Sequence, residues 1–378
     1  GRDANVTGLD FSFFDKKNRF NFRGYGHYSK VFSTTDYDGY NTLLKVGKVS
    51  GRFQYYAQNL IRSLDYDPTD LGYLATSNQH INTGQVSWQQ FKPTKSFLSY
   101  RYNIIADYRR LYKPNVFEMF KIEASGFWYF KNFWDTKLSL GYLPDQHDYF
   151  LLRRPFNKYA RRPQYGYATL DGSTDSRKRL FFSYNILMAD FFKNPEKDYH
   201  ILYGSLRYRF SNKLTLELSH RHETETDYII YGGRNTMDEP MIYFSDFKDV
   251  TSILSGIYNF TPRINLTLRA RHYWSQVIRK RVATVDDEGR PVGEMPVSGV
   301  DDNVNIFNVD AFFTWDFRYG SRLILGYKNW LGESEFVDGN KYKKYLSNFG
   351  QTFDLRHGNE ITVRFIYFLD YNQLRKKR

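Results

Sequence analysis

The stretch Asn265–Ser275 reads Asn-Leu-Thr-Leu-Arg-Ala-Arg-His-Tyr-Trp-Ser and alternates with a period of two. Leu266, Leu268, Ala270, His272 and Trp274 share one face of an extended strand, and Thr267, Arg269, Arg271, Tyr273 and Ser275 share the other. A soluble sandwich would put that apolar face in a core and the arginines in water. Here the pattern returns at even spacing along the whole chain. The expectation is an all-β fold: a closed transmembrane antiparallel barrel, apolar outside, with a polar, arginine-bearing interior.

Further stripes carry the same period. They include Phe20 and Phe22; Leu98, Tyr100, Tyr102 and Ile104; Leu180, Phe182, Tyr184 and Ile186; and Leu214, Leu216 and Leu218. Towards the end come Phe307, Val309, Ala311, Phe313 and Trp315, then Ile361, Val363, Phe365, Tyr367 and Leu369. Counting such arms predicts roughly eighteen strands, within about sixteen to twenty. No segment has sustained helical spacing or convincing helix caps, so almost no helix is expected.

Composition fits this pattern. Aromatic residues make up 19% of the chain against 41% hydrophobic residues in all, a ratio that suits aromatic girdles better than an aliphatic core. No apolar run is long enough for a membrane-spanning helix. There is no cysteine, which removes disulfides and thiolate metal sites. The sequence begins Gly1-Arg2-Asp3-Ala4 without a signal peptide, as a mature chain or a fragment would. A net charge of +13 implies attraction to anions such as lipopolysaccharide phosphates.

Turn residues punctuate the stripes at Lys16-Lys17-Asn18, Ser50-Gly51, Pro93-Thr94-Lys95, Lys131-Asn132 and Thr174-Asp175-Ser176. They recur at Asn212-Lys213, Pro262-Arg263, Tyr319-Gly320-Ser321 and His357-Gly358-Asn359. Longer polar loops are expected at Leu64–Gln79, Pro144–Arg161, Tyr228–Pro240, Ala283–Asn303 and Gly332–Lys344. Short turns at one end and long loops at the other is the layout of an outer-membrane barrel. This pairing places both ends of the chain on the long-loop side and leaves open which face those loops occupy. The domain expectation is one barrel over residues 1–378, or a fragment lacking upstream strands or an N-terminal module.

The strongest candidate site is the barrel interior. The non-lipid residue of each alternating pair gives Arg23, Arg62, Arg101, Arg109, Lys121, Arg207, Arg209, Arg221, Arg269, Arg271 and Arg364. Acidic residues of the same parity are Asp107, Glu123, Glu217, Glu223, Asp310, Asp316 and Asp354. Such a lumen either selects anions or is crossed by ion pairs between neighbouring strands. His220 and His222 share a strand face as zinc ligands would, but with the parity of the leucines, so an interfacial pair is the plainer reading. Asp65-Tyr66-Asp67-Pro68-Thr69-Asp70 and Asp286-Asp287-Glu288-Gly289 offer oxygens to calcium or form Asx turns. Leu71, Tyr73 and Leu74 are apolar residues in a polar loop, suited to docking in the barrel mouth or on a partner.

Two basic patches remain. Arg153-Arg154-Pro155-Phe156-Asn157-Lys158-Tyr159-Ala160-Arg161-Arg162 interleaves arginine with aromatics, and Arg375-Lys376-Lys377-Arg378 is a basic tail. In a barrel loop, lipopolysaccharide or an acidic partner is the expected counter-charge rather than nucleic acid. No phosphate loop, dinucleotide fingerprint or nucleophile elbow occurs. Asp145-Gln146-His147-Asp148 is the one loop that clusters a base with carboxylates.

Three stretches carry a family resemblance: Gly8-Leu9-Asp10-Phe11 before a hairpin, Ser63-Leu64-Asp65-Tyr66-Asp67-Pro68-Thr69-Asp70-Leu71-Gly72-Tyr73-Leu74 after a strand, and Phe365-Ile366-Tyr367-Phe368-Leu369-Asp370-Tyr371-Asn372. Together they resemble the C-terminal barrel of Bacteroidota outer-membrane proteins. Those proteins join an N-terminal module similar to family-nine carbohydrate-binding domains to a barrel domain of unknown function. The resemblance implies an outer-membrane barrel of a Gram-negative bacterium. The family is sometimes labelled a membrane-associated hydrolase, which supplies the alternative of a lipid- or glycan-directed enzyme at the barrel rim. The carbohydrate-binding module has no counterpart in these residues, so its ligand is not carried over. The functional expectation is a porin-like transport or scaffold subunit without catalytic residues, plugged or partnered within a larger assembly. Its partners would be outer-membrane lipid, lipopolysaccharide and other outer-membrane or periplasmic proteins. No cofactor is expected, calcium in the acidic loops being the exception.

Overall fold

The computed structural model describes residues 3–370 except 75, 154–156, 195–196, 299–300, 337–344 and 355. Eight strands open the chain: β1 (Asp3–Phe14), β2 (Phe20–Phe32), β3 (Tyr37–Lys48), β4 (Phe53–Arg62), β5 (Gln79–Gln90), β6 (Phe97–Leu111), β7 (Phe117–Phe130) and β8 (Asp135–Leu143). Each pairs antiparallel with the next. A long connection holds two short strands, β9 (Gln146–Asp148) and β10 (Ala160–Arg162), paired with each other. The meander resumes with β11 (Tyr165–Ser173), paired to β8, and runs through β12 (Leu180–Asp190), β13 (Asp198–Arg209), β14 (Leu214–Arg234), β15 (Pro240–Thr261) and β16 (Ile264–Val285). The short β17 (Pro291–Pro296) pairs back on β16. Then come β18 (Asp302–Arg318), β19 (Ser321–Phe336), helix α1 (Tyr345–Thr352) and β20 (His357–Ile366).

The twenty strands of the described residues belong to one antiparallel sheet. Leaving out the short β9, β10 and β17, each strand of the meander reverses the one before it. The first and last, β1 and β20, therefore run the same way, from the long-loop end to the short-turn end. Among the described residues, no ladder joins β1 to β20.

The expected hairpin at His357-Gly358-Asn359 does not form; these residues open β20 opposite Leu331, Trp330 and Asn329. That shifts the last strand by one reversal, so the chain leaves β20 at the short-turn end rather than the long-loop end. Two expected loops are largely strand. Tyr228–Arg234 continues β14, and Ala283–Val285 continues β16. Bulges between Glu225 and Tyr228 and between Tyr231 and Gly233, the first passing Asp227 at φ 51°, interrupt the period of two there. A bulge inserts residues into one strand, so an extended stretch no longer alternates in sequence. Of the expected 332–344 loop, Gly332 lies in β19 and residues 337–344 lie outside the described ones.

Opposed residues of an antiparallel pair point to the same side, so register carries a face from strand to strand. Leu218, Leu254, Leu268 and Ala311 fall in this way on one side, with Ala106, Ile104 and Val86 on that side of the opening strands. Glu217, Ser255, Arg269 and Asp310 fall on the other. The apolar face is aliphatic in mid-strand and aromatic beside the short turns. Phe22, Phe53, Trp88, Tyr102, Tyr208, Tyr258 and Trp315 lie near that end, and Trp88, for example, packs on Tyr100 and Tyr102.

At the other end the apolar face is covered over β16 and β18. Helix α1, which the sequence pattern did not indicate, packs across β16 and β18 and buries His272 and Trp274. These two residues were expected at the barrel's outer surface. The helix has no charge in its first or last turn, so docking rather than local propensity holds it. Its contact is polar. The His272 Nε2 and Asn305 Oδ1 atoms are 2.8 Å apart, Asn305 Nδ2 donates to the Asn348 carbonyl at 2.8 Å, and the Thr352 hydroxyl lies 3.0 Å from Asn305 Oδ1. Trp274 Nε1 donates to Asn303 at 2.8 Å, and Phe349 meets the His272 ring edge-on at 5.0 Å.

Asn305 is the hub of this cluster. Asn305→Ala strands buried groups on His272 and α1 and is expected to cost ~2–4 kcal/mol in equilibrium urea unfolding. Asn308→Ala, which loses one half-buried bond from Arg271 at 3.1 Å, should cost less than about 1.5 kcal/mol. Equal losses in the two variants would show that α1 is not held this way.

Candidate functional site

The polar face is organised as rows of charge. One row crosses β13, β14, β15, β16, β18, β19 and β20 as Arg207, Glu217, Ser255, Arg269, Asp310, Lys328 and Glu360. Signs alternate along it apart from the serine. Lys328 and Glu360 approach to 3.7 Å, and Glu217 accepts from Ser205 at 2.8 Å. Directly opposed unlike charges attract across a ladder, each pair contributing roughly 0.2–1 kcal/mol. On β7 to β2 the row reads Lys121, Asp107, Thr83, Gln58, Lys45 and Arg23, ending on two neighbouring cations.

The cations expected together do share this face in register: Arg23, Arg62, Arg101, Arg109, Lys121, Arg207, Arg209, Arg221, Arg269, Arg271 and Arg364. Their contacts differ. Arg101 donates to Gln89 at 3.0 Å, Arg109 lies 4.0 Å from Asp107, and Arg221 pairs with Glu223. Lys121 meets Glu123 at 3.0 Å. Arg207 and Arg209 instead turn to the Ser176 carbonyl in a short turn, at 2.7 and 3.1 Å. Of the acidic residues, Asp316 is chelated by Arg322 beside a turn, and Asp354 is no strand residue but follows α1.

Elsewhere the structure separates what the sequence brought to notice. Leu71 and Tyr73 project from the exposed tip of the 63–78 connection, while Leu74 is half-buried at its base. That base is tied down. Asn78 exchanges two 2.8 Å bonds with the Lys113 backbone, and Tyr37 donates to Asp67 at 2.8 Å. Gly39 is required beneath it, because a Cβ there would sit 2.2 Å from the Tyr66 nitrogen. Asp67 and Asp286 cap turns, accepting from the backbone of Thr69 and from that of Glu288 and Arg290. His220 lies on the apolar face, 2.8 Å from Ser252, which in turn meets Tyr345 of α1 at 2.7 Å. Among the described residues no three His, Cys, Asp or Glu side chains gather as a metal set. Arg154, Pro155 and Phe156 of one basic patch and the whole 375–378 tail lie outside the described residues.

The Asp145–Asp148 cluster forms a cross-linked hairpin. Arg161 grips Asp145 with bonds of 3.1 and 3.2 Å, and Arg162 bonds Asp148 at 2.7 Å. His147 lies 3.5 Å from Asp145 and stacks on Tyr159 at 4.1 Å. Both carboxylates are thus held by arginines, and His147 is packed between rings.

This hairpin walls a cavity of about 700 Å³ at the long-loop end, closed by the β12–β13 connection and by the extensions of β14, β15 and β16. Cations line it from three separate connections, Pro144, Pro163 and Pro291 give it apolar surface, and the buried Ile229, Ile242 and Phe244 stand behind. Sequence reading missed it. Its residues come from segments up to 150 positions apart, each ordinary alone.

The family description DUF5916, a domain of unknown function, matches residues 1–378. The chain belongs to the DUF5916 family. Comparison with curated proteins returns no match. Family membership thus covers all of the DUF5916 chain's sheet, both charge rows and the cavity.

Burial pushes the His147 pKa down from 6.5, opposed by Asp145 and reinforced by Arg161. Its protonation is thus disfavoured in the folded hairpin. The stability it lends is full above the unfolded value near 6.5 and is lost as pH falls below that value and through the lower folded one. Backbone amide exchange across residues 144–164 should be faster, after correction for intrinsic rates, at about pH 5 than at about pH 7.5. His147→Phe keeps the stack without a titrating group and should abolish the difference; a difference that persists would assign it to another group.

Proposed function

We propose that the DUF5916 chain is an outer-membrane β-barrel of a Gram-negative bacterium, acting as a transport or scaffold subunit. The observation that carries this reading is the exposure of the apolar face. Leu218 is 54%, Leu254 44% and Leu268 44% exposed, on strands in the middle of the sheet. An apolar surface continuous over so many strands far exceeds the few hundred Å² that a soluble monomer leaves in water. Lipid is the cover that suits a face with an aliphatic middle and an aromatic margin. The resemblance to Bacteroidota outer-membrane barrels points the same way. Residues 1–378 then belong to a single barrel domain.

A bilayer leaves no sheet edge unpaired, because bare N–H and C=O groups cost several kcal/mol each in hydrocarbon. The edges of β1 and β20 must therefore be joined. Since they run in the same direction, closure by antiparallel ladders takes an odd number of further strands, those beside β1 and β20 running from the short-turn end to the long-loop end. A ring of that size is wider than side chains can fill. The charge rows line its interior on this reading, and the lumen is plugged or partnered, its cations anchoring acidic groups of the occupant. The exposed Leu71 and Tyr73 would dock such an occupant or a second protein.

Planar-bilayer recording of the purified protein tests this. The expected result is stable insertion with little conductance. Arg269→Ala with Arg271→Ala should raise the conductance by loosening the occupant, without changing ion selectivity. A steady anion-selective current from the unmodified protein would instead establish an open pore.

A further inference from the structure

We propose that the cavity at the long-loop end binds a soluble anionic amphiphile, a phosphate or carboxylate joined to a compact apolar body. Its volume of about 700 Å³ falls within the roughly 300–1,000 Å³ usual for small-molecule sites. Six cations line it, Arg161, Arg162, Lys193, Lys197, Arg281 and Arg290, against three acids, Asp145, Asp227 and Glu294.

The pairing within this set is uneven. Arg161 is spent on Asp145, Arg162 on Asp148 and Lys197 on Glu225 at 2.8 Å. Arg281 lies between Asp227 at 3.2 Å and Glu294 at 3.3 Å, and Asp227 also takes Lys280 at 2.8 Å. Among the described residues, no carboxylate pairs with Lys193 or Arg290. Both side chains are exposed, and they reach the same cavity from the β12–β13 and β16–β17 connections. Two uncommitted cations facing one cavity suit an anion. A bare inorganic ion would leave the apolar part of the lining unused, Pro144, Pro163 and Pro291 beside the edges of the buried Ile229, Ile242 and Phe244, whereas burying an apolar body against it contributes roughly 25 cal/mol per Å².

The position of the cavity selects a soluble ligand. Ile229 stands 15 residues along β14 from Leu214, which at about 3.3 Å per residue and a tilt near 40° is a rise of roughly 38 Å. An apolar band is about 25 Å tall. The site therefore lies beyond the reach of a lipid tail anchored in the bilayer, and its ligand arrives from water. This placement rests on the proposed barrel; the cavity and its charges do not.

The test uses the purified full chain in uncharged detergent and three probes, 1-naphthyl phosphate, 1-naphthol and inorganic phosphate, followed by calorimetry. Naphthyl phosphate is expected to bind saturably, about tenfold tighter than either other probe, and to weaken with added salt. Lys193→Gln with Arg290→Gln should weaken it about tenfold; both positions are exposed, so the fold is not at risk. Lys16→Gln with Lys17→Gln, at the far end, should leave it unchanged. Equal binding of naphthyl phosphate and inorganic phosphate, or unaltered binding by the Lys193 and Arg290 variant, would overturn the proposal. Displacement of the probe by phosphatidylglycerol vesicles would overturn the soluble ligand in favour of a lipid. None of these results depends on whether the lumen conducts.

Discussion

Because antiparallel partners point to the same side of a sheet, setting Arg269 opposite Asp310 decides which side every residue in that row takes, from Arg207 on β13 to Glu360 on β20. A slip of one residue in any ladder would carry a leucine into a charge row and an arginine onto the apolar face. The register is thus under tension from both sides, and the two faces enforce each other. It is broken only by bulges, and the strands that carry most of them, β14, β15 and β16, are also the longest. They outrun their neighbours and supply one wall of the cavity at the long-loop end.

The same constraint explains why the polar face reads as rows rather than isolated pairs. A residue in mid-sheet has a cross-strand neighbour on each side, so Asp310 stands between Arg269 and Lys328. Charge that is compensated from both sides keeps a polar interior without a surplus of repulsion. Arg23 and Lys45 oppose each other and have no acid in register, their other neighbours being Ser12 and Gln58. The proposed closing strand would lie one strand further out, beside Ser12 of β1.

Much of the fold was legible because it rests on a period of two. The stripes from Phe20 to Phe365 and most short turns stand where alternation and turn chemistry placed them. Legibility failed where a side chain's role depends on something distant. His272 and Trp274 alternate like their leucine neighbours, yet α1, more than 70 residues later, buries them. The His-Gly-Asn at 357 looks like a turn because glycine and asparagine suit one, but cross-strand pairing with β19 outweighs that local preference. The cavity was invisible for a related reason. Lys193 and Arg290 are unremarkable in sequence, and only three separate connections meeting in space give them a common target.

Oxygen accessibility of spin labels along β16, in lipid vesicles, bears most directly on the division of the sheet into a lipid face and a water face. The chain has no cysteine, so single cysteines from position 266 to 275 label cleanly. Oxygen concentrates in lipid, so labels at 266, 268 and 270 should be accessible to it, and those at 267, 269 and 271 to a water-soluble nickel reagent. At 272 and 274 the oxygen signal should fall, because α1 covers that end. A profile without a period of two, or one with the oxygen maxima at 267, 269 and 271, would contradict the membrane reading.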